Sequence, residues 1–193
     1  MSYLSREDRK RQILDTAIVL VLEQGLEALT ARSVTARAGT STGQIHHHYG
    51  SLSELQAEVF EAITKRYLEE ELPAGLALDE QLLYMLDPGD REVIGPYLRL
   101  WSDAEKLIEK NEPLREVYEK ALIGWQQLIV SAIESGTRKG ERRLKTGTAD
   151  EAAWRLIAAA LGLENLAASR LSVLPDNFVV DALTVFIANE LAG

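Results

Sequence analysis

Residues 30–55 read TARSVTARAGTSTGQIHHHYGSLSEL, and the helix starts and stops within them decide the fold. Thr30 has a side chain suited to capping a helix, Val34 and Ala38 follow four apart on one face, and Gly39 is a stop. Ser41-x-x-Gln44 has the spacing of a capping box and leads into Ile45 and Tyr49 at i and i+4. Helix, short turn, helix is the helix-turn-helix pattern, in which the second helix enters the major groove and the first braces on the backbone. Spacing alone is weak, and the chemistry left facing outward strengthens it. With Val34, Ala38, Ile45 and Tyr49 assigned to the core, the outward set is Ser41, Thr42, Gly43, Gln44, His46, His47 and His48, with Thr30 and Arg32 at the mouth of the first helix. Gln pairs bidentately with adenine, Arg with guanine, and a Thr methyl meets the thymine methyl. Gly43 permits close backbone approach, and helix N-terminal amides favour phosphate. The expected partner is double-stranded DNA.

Working outward, a helix from the box Ser5-x-x-Asp8 to Gln24, stopped by Gly25, precedes this pair. Downstream, Ser51-x-x-Glu54 opens a helix to about Leu72, ended by Pro73. Shorter and longer helices are expected at Leu78–Leu86, ending at Asp87-Pro88-Gly89, then 90–110 and 112–136, the last begun by Asn111-Glu112-Pro113. Residues 136–147 carry three glycines and the basic residues Arg138, Lys139, Arg142, Arg143 and Lys145, which no helix period organises. A helix from Thr148-x-x-Glu151 to about Ser172, a Pro175-Asp176 turn and a last helix to Leu191 complete the chain. The expected class is all-α with about nine helices: a three-helix helix-turn-helix domain over residues 1–50 and a helical domain over 51–193. The helix after Thr148 is apolar on most of its circumference, which requires more than one packing partner. Leu156, Ala160, Leu163, Leu166 and Ala167, with Leu183 and Phe186 of the last helix, are the expected faces of a homodimer; burial within one subunit is the alternative.

A net charge of −9 argues at first against a nucleic-acid partner. Its distribution reverses that, because residues 1–55 hold six basic and six acidic residues and the whole excess lies beyond them. There is no cysteine, hence no disulfide or thiolate chemistry. The first ten residues are charged, without the apolar run of a leader, and no apolar stretch approaches the ~18 residues that span a bilayer, so no membrane partner and a cytoplasmic location are expected. His46, His47 and His48 are the only histidines, and successive helical positions point about 100° apart, so they do not converge on one metal ion. Without an i, i+4 ligand pair, a phosphate loop or a nucleophile elbow, no enzyme and no cofactor are expected.

The stretch from Thr30 to Leu55 resembles the signature of the tetracycline-repressor (TetR) family: a Thr-led helix, Ala-Gly, a Ser-x-Gly turn and an aromatic-x-His-aromatic end. The runs from Leu98 to Arg142 and over the last helix pair are similar in a less specific way. The resemblance implies a regulator of transcription, most simply a repressor that binds a palindromic operator as a homodimer and is released by a small-molecule effector. It places Arg32, Thr42, Gly43, Gln44, His46 and His47 at bases or groove, and Thr30 and His48 at phosphates. His46 stands where the family mostly has Tyr, Thr40 where it has Val, and Leu52 where many members carry a phosphate-gripping Lys. The effector is implied to sit among the C-terminal helices, where Tyr97, Trp101, Tyr118 and Trp125 are candidate pocket residues, although aromatic residues between helices are more often plain core. A helical interaction protein that has lost DNA binding is the competing class.

Overall fold

The computed structural model describes residues 5–87, 89, 91–169 and 173–192. Among them are nine α-helices: α1 (Arg6–Gln24), α2 (Ala31–Ala38), α3 (Thr42–Tyr49), α4 (Leu52–Leu68), α5 (Leu78–Leu86), α6 (Arg91–Leu107), α7 (Glu112–Arg138), α8 (Ala149–Ala168) and α9 (Phe178–Glu190). A 3-10 turn, Leu26–Ala28, follows α1. The expected caps form at Ser5, Thr30, Ser51 and Thr148, each hydroxyl accepting the backbone N–H three residues on. The all-α expectation thus holds, with one small exception described below.

The chain divides into two compact units, Met1–Glu69 with Arg91–Ala121, and Glu70–Asp90 with Leu122–Gly193. The first is centred on Ile13, Ala17, Leu20, Val34, Ile45, Leu55, Phe60, Leu100 and Leu114, all buried. The second has its own core, in which Leu78, Leu82 and Leu86 of α5, Ile129 and Ile133 of α7, Leu156 and Ile157 of α8 and Leu183 and Ile187 of α9 meet. Burying a Leu or Ile side chain is worth ~1.5–3 kcal/mol, so this cluster stabilises the four-helix packing, and Gln126–Asp150 (2.6 Å) and Arg155–Glu190 (2.6 Å) add polar links between its helices.

Several boundaries differ from the sequence reading. Ser41 makes no side-chain cap, so the expected Ser41/Gln44 box is absent. α4 stops at Leu68, ahead of Leu72, at Glu69. α6 ends at Leu107 and not at Lys110; the expected start at Asp90 lies outside the described residues, as does Pro88 of the preceding turn, where Gly89 N–H donates to Asp87 Oδ1 (3.1 Å). Gly136 does not stop α7, which continues to Arg138. Its missing side chain serves packing instead, since a Cβ there would stand 2.5 Å from the Leu78 side chain. α8 ends at Ala168, and the expected end at Ser172 lies outside the described residues.

The basic stretch after α7 is organised by tertiary contacts. Arg143–Leu144 pairs antiparallel with Leu191–Ala192, a two-residue ladder that the all-helix reading did not include. Beside it the Arg142 guanidinium donates to Asp79 (2.7 Å), and Lys145 Nζ to the Ala188 carbonyl (2.6 Å). Arg138 faces Glu134 and Lys139 faces Glu141. These cations are therefore engaged within their own unit.

Candidate nucleic-acid interface and aromatic cluster

The helix-turn-helix is built by local chemistry first. Thr30 and Ser33 cap α2 reciprocally, Thr30 Oγ1 accepting from Ser33 N–H (3.1 Å) and Ser33 Oγ from Thr30 N–H (3.0 Å). Gly39 takes φ +61°, the left-handed conformation that ends a helix at low cost for glycine, and Thr40 N–H closes on the Thr35 carbonyl (3.1 Å). Ile45 and Tyr49 then turn into the core, and that orients the rest of α3. The Tyr49 hydroxyl donates to the Lys10 carbonyl of α1 (2.6 Å), and the Lys10 ammonium sits 5.0 Å from the ring centroid. Burial, with Glu58 and Asp15 nearby, pushes the Tyr49 phenol far above its ordinary range, so it stays a donor.

Ser41, Thr42, Gly43, Gln44, His46 and His47 are all exposed, His48 is half-buried, and Thr30 and Arg32 are exposed at α2. Two of these side chains are already engaged on α3. His46 Nδ1 donates to the Gly50 carbonyl (2.9 Å), and His48 Nε2 to Gln44 Oε1 (3.2 Å). That bond uses one of the two lone pairs of Gln44 Oε1, and bidentate pairing with adenine would use the other together with the amide N–H. Burial, and then the positive neighbours His47, Arg6, Arg9 and Lys10, hold the His48 imidazole below its usual pKa. The cations divide sharply: Arg37 is locked to Glu23 in a two-pronged pair and Lys10 to Glu58, whereas Arg32 has no ion-pair partner among the described residues. Leu52, half-buried at the start of α4, contributes no cation. Among the described residues no group of three His, Asp or Glu side chains could hold a metal ion.

Contacts between residues far apart in sequence support this segment, and the sequence reading missed them. Asp103 of α6 is buried, and its Oδ2 accepts the N–H of Leu26 (2.9 Å) at the opening of the 3-10 turn. Arg99, one helical turn earlier, donates to the Leu22 carbonyl (2.7 Å) at the end of α1. Between them lies Gly25, at φ +91°, where a Cβ would stand 2.6 Å from Asp103 Oδ2. Gln56 of α4 donates to the Leu29 carbonyl (3.3 Å) and accepts from Asn111 (2.9 Å). Gly25 was the one local sign, read as a helix stop only.

Three of the four expected pocket residues converge. Tyr97 and Trp101 of α6 and Tyr118 of α7 meet Phe60 and Tyr67 of α4 in one ring cluster within the first unit. Trp125 lies in the second unit, its indole N–H donating to the Met85 carbonyl (3.0 Å). Of the expected interface residues, Leu156, Ala160, Leu163 and Leu183 are buried in the core of their own unit, so their apolar area is already covered. Leu166 and Phe186 are 47% and 45% exposed, and Ala167 is half-buried. Trp154 and Val185 are exposed on the same two helices.

Residues 13–59 match the model of a family described as bacterial regulatory proteins, tetR family. The chain is similar to the HTH-type transcriptional regulator PksA of Bacillus subtilis (29% identical over 63 residues) and to the HTH-type transcriptional repressor KstR2 of Rhodococcus jostii (33% over 54 residues). These alignments cover 33% and 28% of this chain, and only 31% and 26% of those proteins. Over its whole length the fold is that of a protein from Saccharomonospora viridis solved in complex with choline: TM-score 0.78 at 23% identity, covering 97% of this chain and 100% of that one.

Proposed function

We propose, starting from a chain that belongs through residues 13–59 to the tetR family of bacterial transcriptional regulators, that it is a homodimeric repressor released from its operator by a small molecule. Residues 1–50 are the DNA-binding part, and 51–193 carry effector binding and dimerisation. The observation that supports this best is α3: Ile45 and Tyr49 are anchored inward, and Thr42, Gly43, Gln44, His46 and His47 are held outward on a helix short enough for the major groove. Arg32 adds a cation with no ion-pair partner among the described residues, and Thr30 at the N-cap of α2 and His48 in the last turn of α3 serve as phosphate contacts.

A single recognition helix reads only a few base pairs, and two-fold pairing of subunits doubles the site into a palindrome. The exposed apolar residues Leu166 and Phe186 of α8 and α9 support such pairing. For release, α6 is the natural carrier. It holds Arg99 and Asp103 against the end of α1 and also Tyr97 and Trp101 in the ring cluster, so a ligand that favours a shifted α6 changes the setting of the helix-turn-helix.

Fluorescence anisotropy with promoter fragments, repeated across salt concentrations, tests the reading. Saturable binding that weakens steeply with salt is expected, and Gln44→Ala should cost about 1–3 kcal/mol at one base position while leaving other positions unchanged. Absence of specific binding even at low salt would leave the chain as a helical interaction protein. The missing cation at Leu52 is the feature that favours that alternative.

A further inference from the structure

Five rings from three helices meet in two layers. The inner layer is Phe60, Trp101 and Tyr118, buried, with centroids 5.2–5.8 Å apart and Trp101 edge-on to both neighbours. The outer layer is the Tyr67–Tyr97 pair, half-buried and stacked at 4.0 Å with planes tilted by 31°. Tyr97 joins the layers, edge-on to Trp101 at 6.2 Å.

A cluster made only for burial needs no hydroxyl groups, yet three of the five rings are tyrosines and the outer pair is only half-buried. Burial pushes the Tyr97 phenol up to about 12 and raises that of Tyr118, where Glu105 adds its field, so the site is rich in ring faces and free of phenolate charge. The nearby acids are Glu105, Glu61, which is tied to Lys120, and Asp103, which is tied to Leu26 N–H and Lys106. The nearby cations Lys120 and Lys106 face those acids, which disfavours an anion here. A primary ammonium must seat each of its N–H donors on an oxygen, which the ring faces do not supply. A quaternary ammonium brings none: its methyl groups pack on the rings while its charge meets their negative faces.

We propose, building on the regulator reading above, that this ring cluster is the effector site and that it receives a small quaternary ammonium cation, which parts Tyr67 from Tyr97 and seats against Trp101 and Tyr118. Pro96 precedes Tyr97 inside α6 and removes one backbone hydrogen bond of that helix, so displacement of Tyr97 bends α6 there. The bend is carried to Arg99 and Asp103, whose contacts with Leu22 and Leu26 fix the end of α1.

Calorimetric titration of the full chain with tetramethylammonium and choline chlorides, against sodium chloride and the uncharged isostere 3,3-dimethylbutan-1-ol, tests this. Saturable binding of both cations is expected, with the isostere weaker by about tenfold or more, the factor that a desolvated cation–π contact supplies. Tyr97→Leu, at a half-buried position that tolerates the change, should weaken choline by about tenfold, and Tyr97→Phe should largely restore it. Equal binding of choline and its isostere, no binding of either, or an unchanged Tyr97→Leu would overturn the proposal. The anisotropy assay separates the two readings. DNA binding that no cation affects defeats this inference and leaves the regulator standing, whereas tight cation binding by a protein that ignores DNA does the reverse.

Discussion

Replacing Asp103 by alanine should destabilise the protein well beyond what its ion pair suggests. The carboxylate has two partners of very different worth. Lys106 lies 3.3 Å away, but its side chain is 56% exposed, and pairs of that kind contribute ~0–1 kcal/mol. Leu26 N–H is buried, and no other acceptor for it is found among the described residues. In the alanine variant that amide is left unsatisfied, at ~1–3 kcal/mol, and a charge-assisted bond is lost with it. The expected cost is therefore about 2–3 kcal/mol, nearly all of it from the amide. For 193 residues the unfolding entropy at the midpoint is about 0.4 kcal/mol per kelvin, so Tm should fall by about 5–7 °C.

Circular dichroism melts of three variants separate the two partners. Asp103→Ala should show the full loss. Asp103→Asn keeps an acceptor for Leu26 and should lose about half, and Lys106→Ala should move Tm by no more than about 1 °C. If Lys106→Ala costs as much as Asp103→Ala, the ion pair carries the effect and the reasoning fails. The same applies if Asp103→Ala melts with the parent.

Leu52→Lys restores a cation at the first turn of α4; operator affinity should rise and the salt slope steepen by about one, read from anisotropy titrations between low and moderate salt. Arg32→Ala should lower that slope or relax one base position, while Arg37→Ala, already committed to Glu23, should change DNA binding little, and equal losses in the two variants would contradict the pairing. His48 has a depressed pKa in the free protein, and a phosphate would favour its charged form. Protons should therefore be taken up on binding, and affinity should rise as pH falls from about 7.5 towards 6, less so in His48→Gln. Leu166→Glu with Phe186→Glu should shift sedimentation towards monomer with little change in Tm, whereas Leu156→Ala should lower stability by about 2–5 kcal/mol whatever the subunit state.

What was legible in the sequence was what local chemistry encodes. Ser5, Thr30, Ser51 and Thr148 announced helices because a hydroxyl three residues from an orphan amide acts within one turn. The outward set on α3 was legible because Ile45 and Tyr49 fix the helix face. Ser41 failed for a reason equally local: the Gln44 N–H that its hydroxyl would have received closes on the Ser41 carbonyl instead (2.9 Å), and the Gln44 side chain meets His48 one turn on. Misread positions depended on distant residues. Gly136 looked like a stop until Leu78 was found against it, and the basic stretch looked disorganised until Asp79 and the Ala188 carbonyl were found beside it. Leu156 and Leu183 were expected at a subunit interface, with burial in one subunit as the alternative, because periodicity reports that a face is apolar and not what covers it.

The same limit explains how the aromatic residues divided. Trp101 and Trp125 are alike in composition of neighbours, Trp101 near Asp103 and Glu105, Trp125 beside Gln126 and Gln127, and nothing local ranks one above the other. Their partners separate them. Trp125 spends its N–H on the Met85 carbonyl and buries part of its ring among aliphatic side chains, as a core residue does. Trp101 stands edge-on to three other rings, on the helix that also holds the end of α1 through Arg99 and Asp103. A change at Trp101 therefore has a path to the DNA-binding helices within one compact unit. Replacing Trp101 should accordingly disturb both ring packing and operator affinity, and replacing Trp125 should cost stability alone.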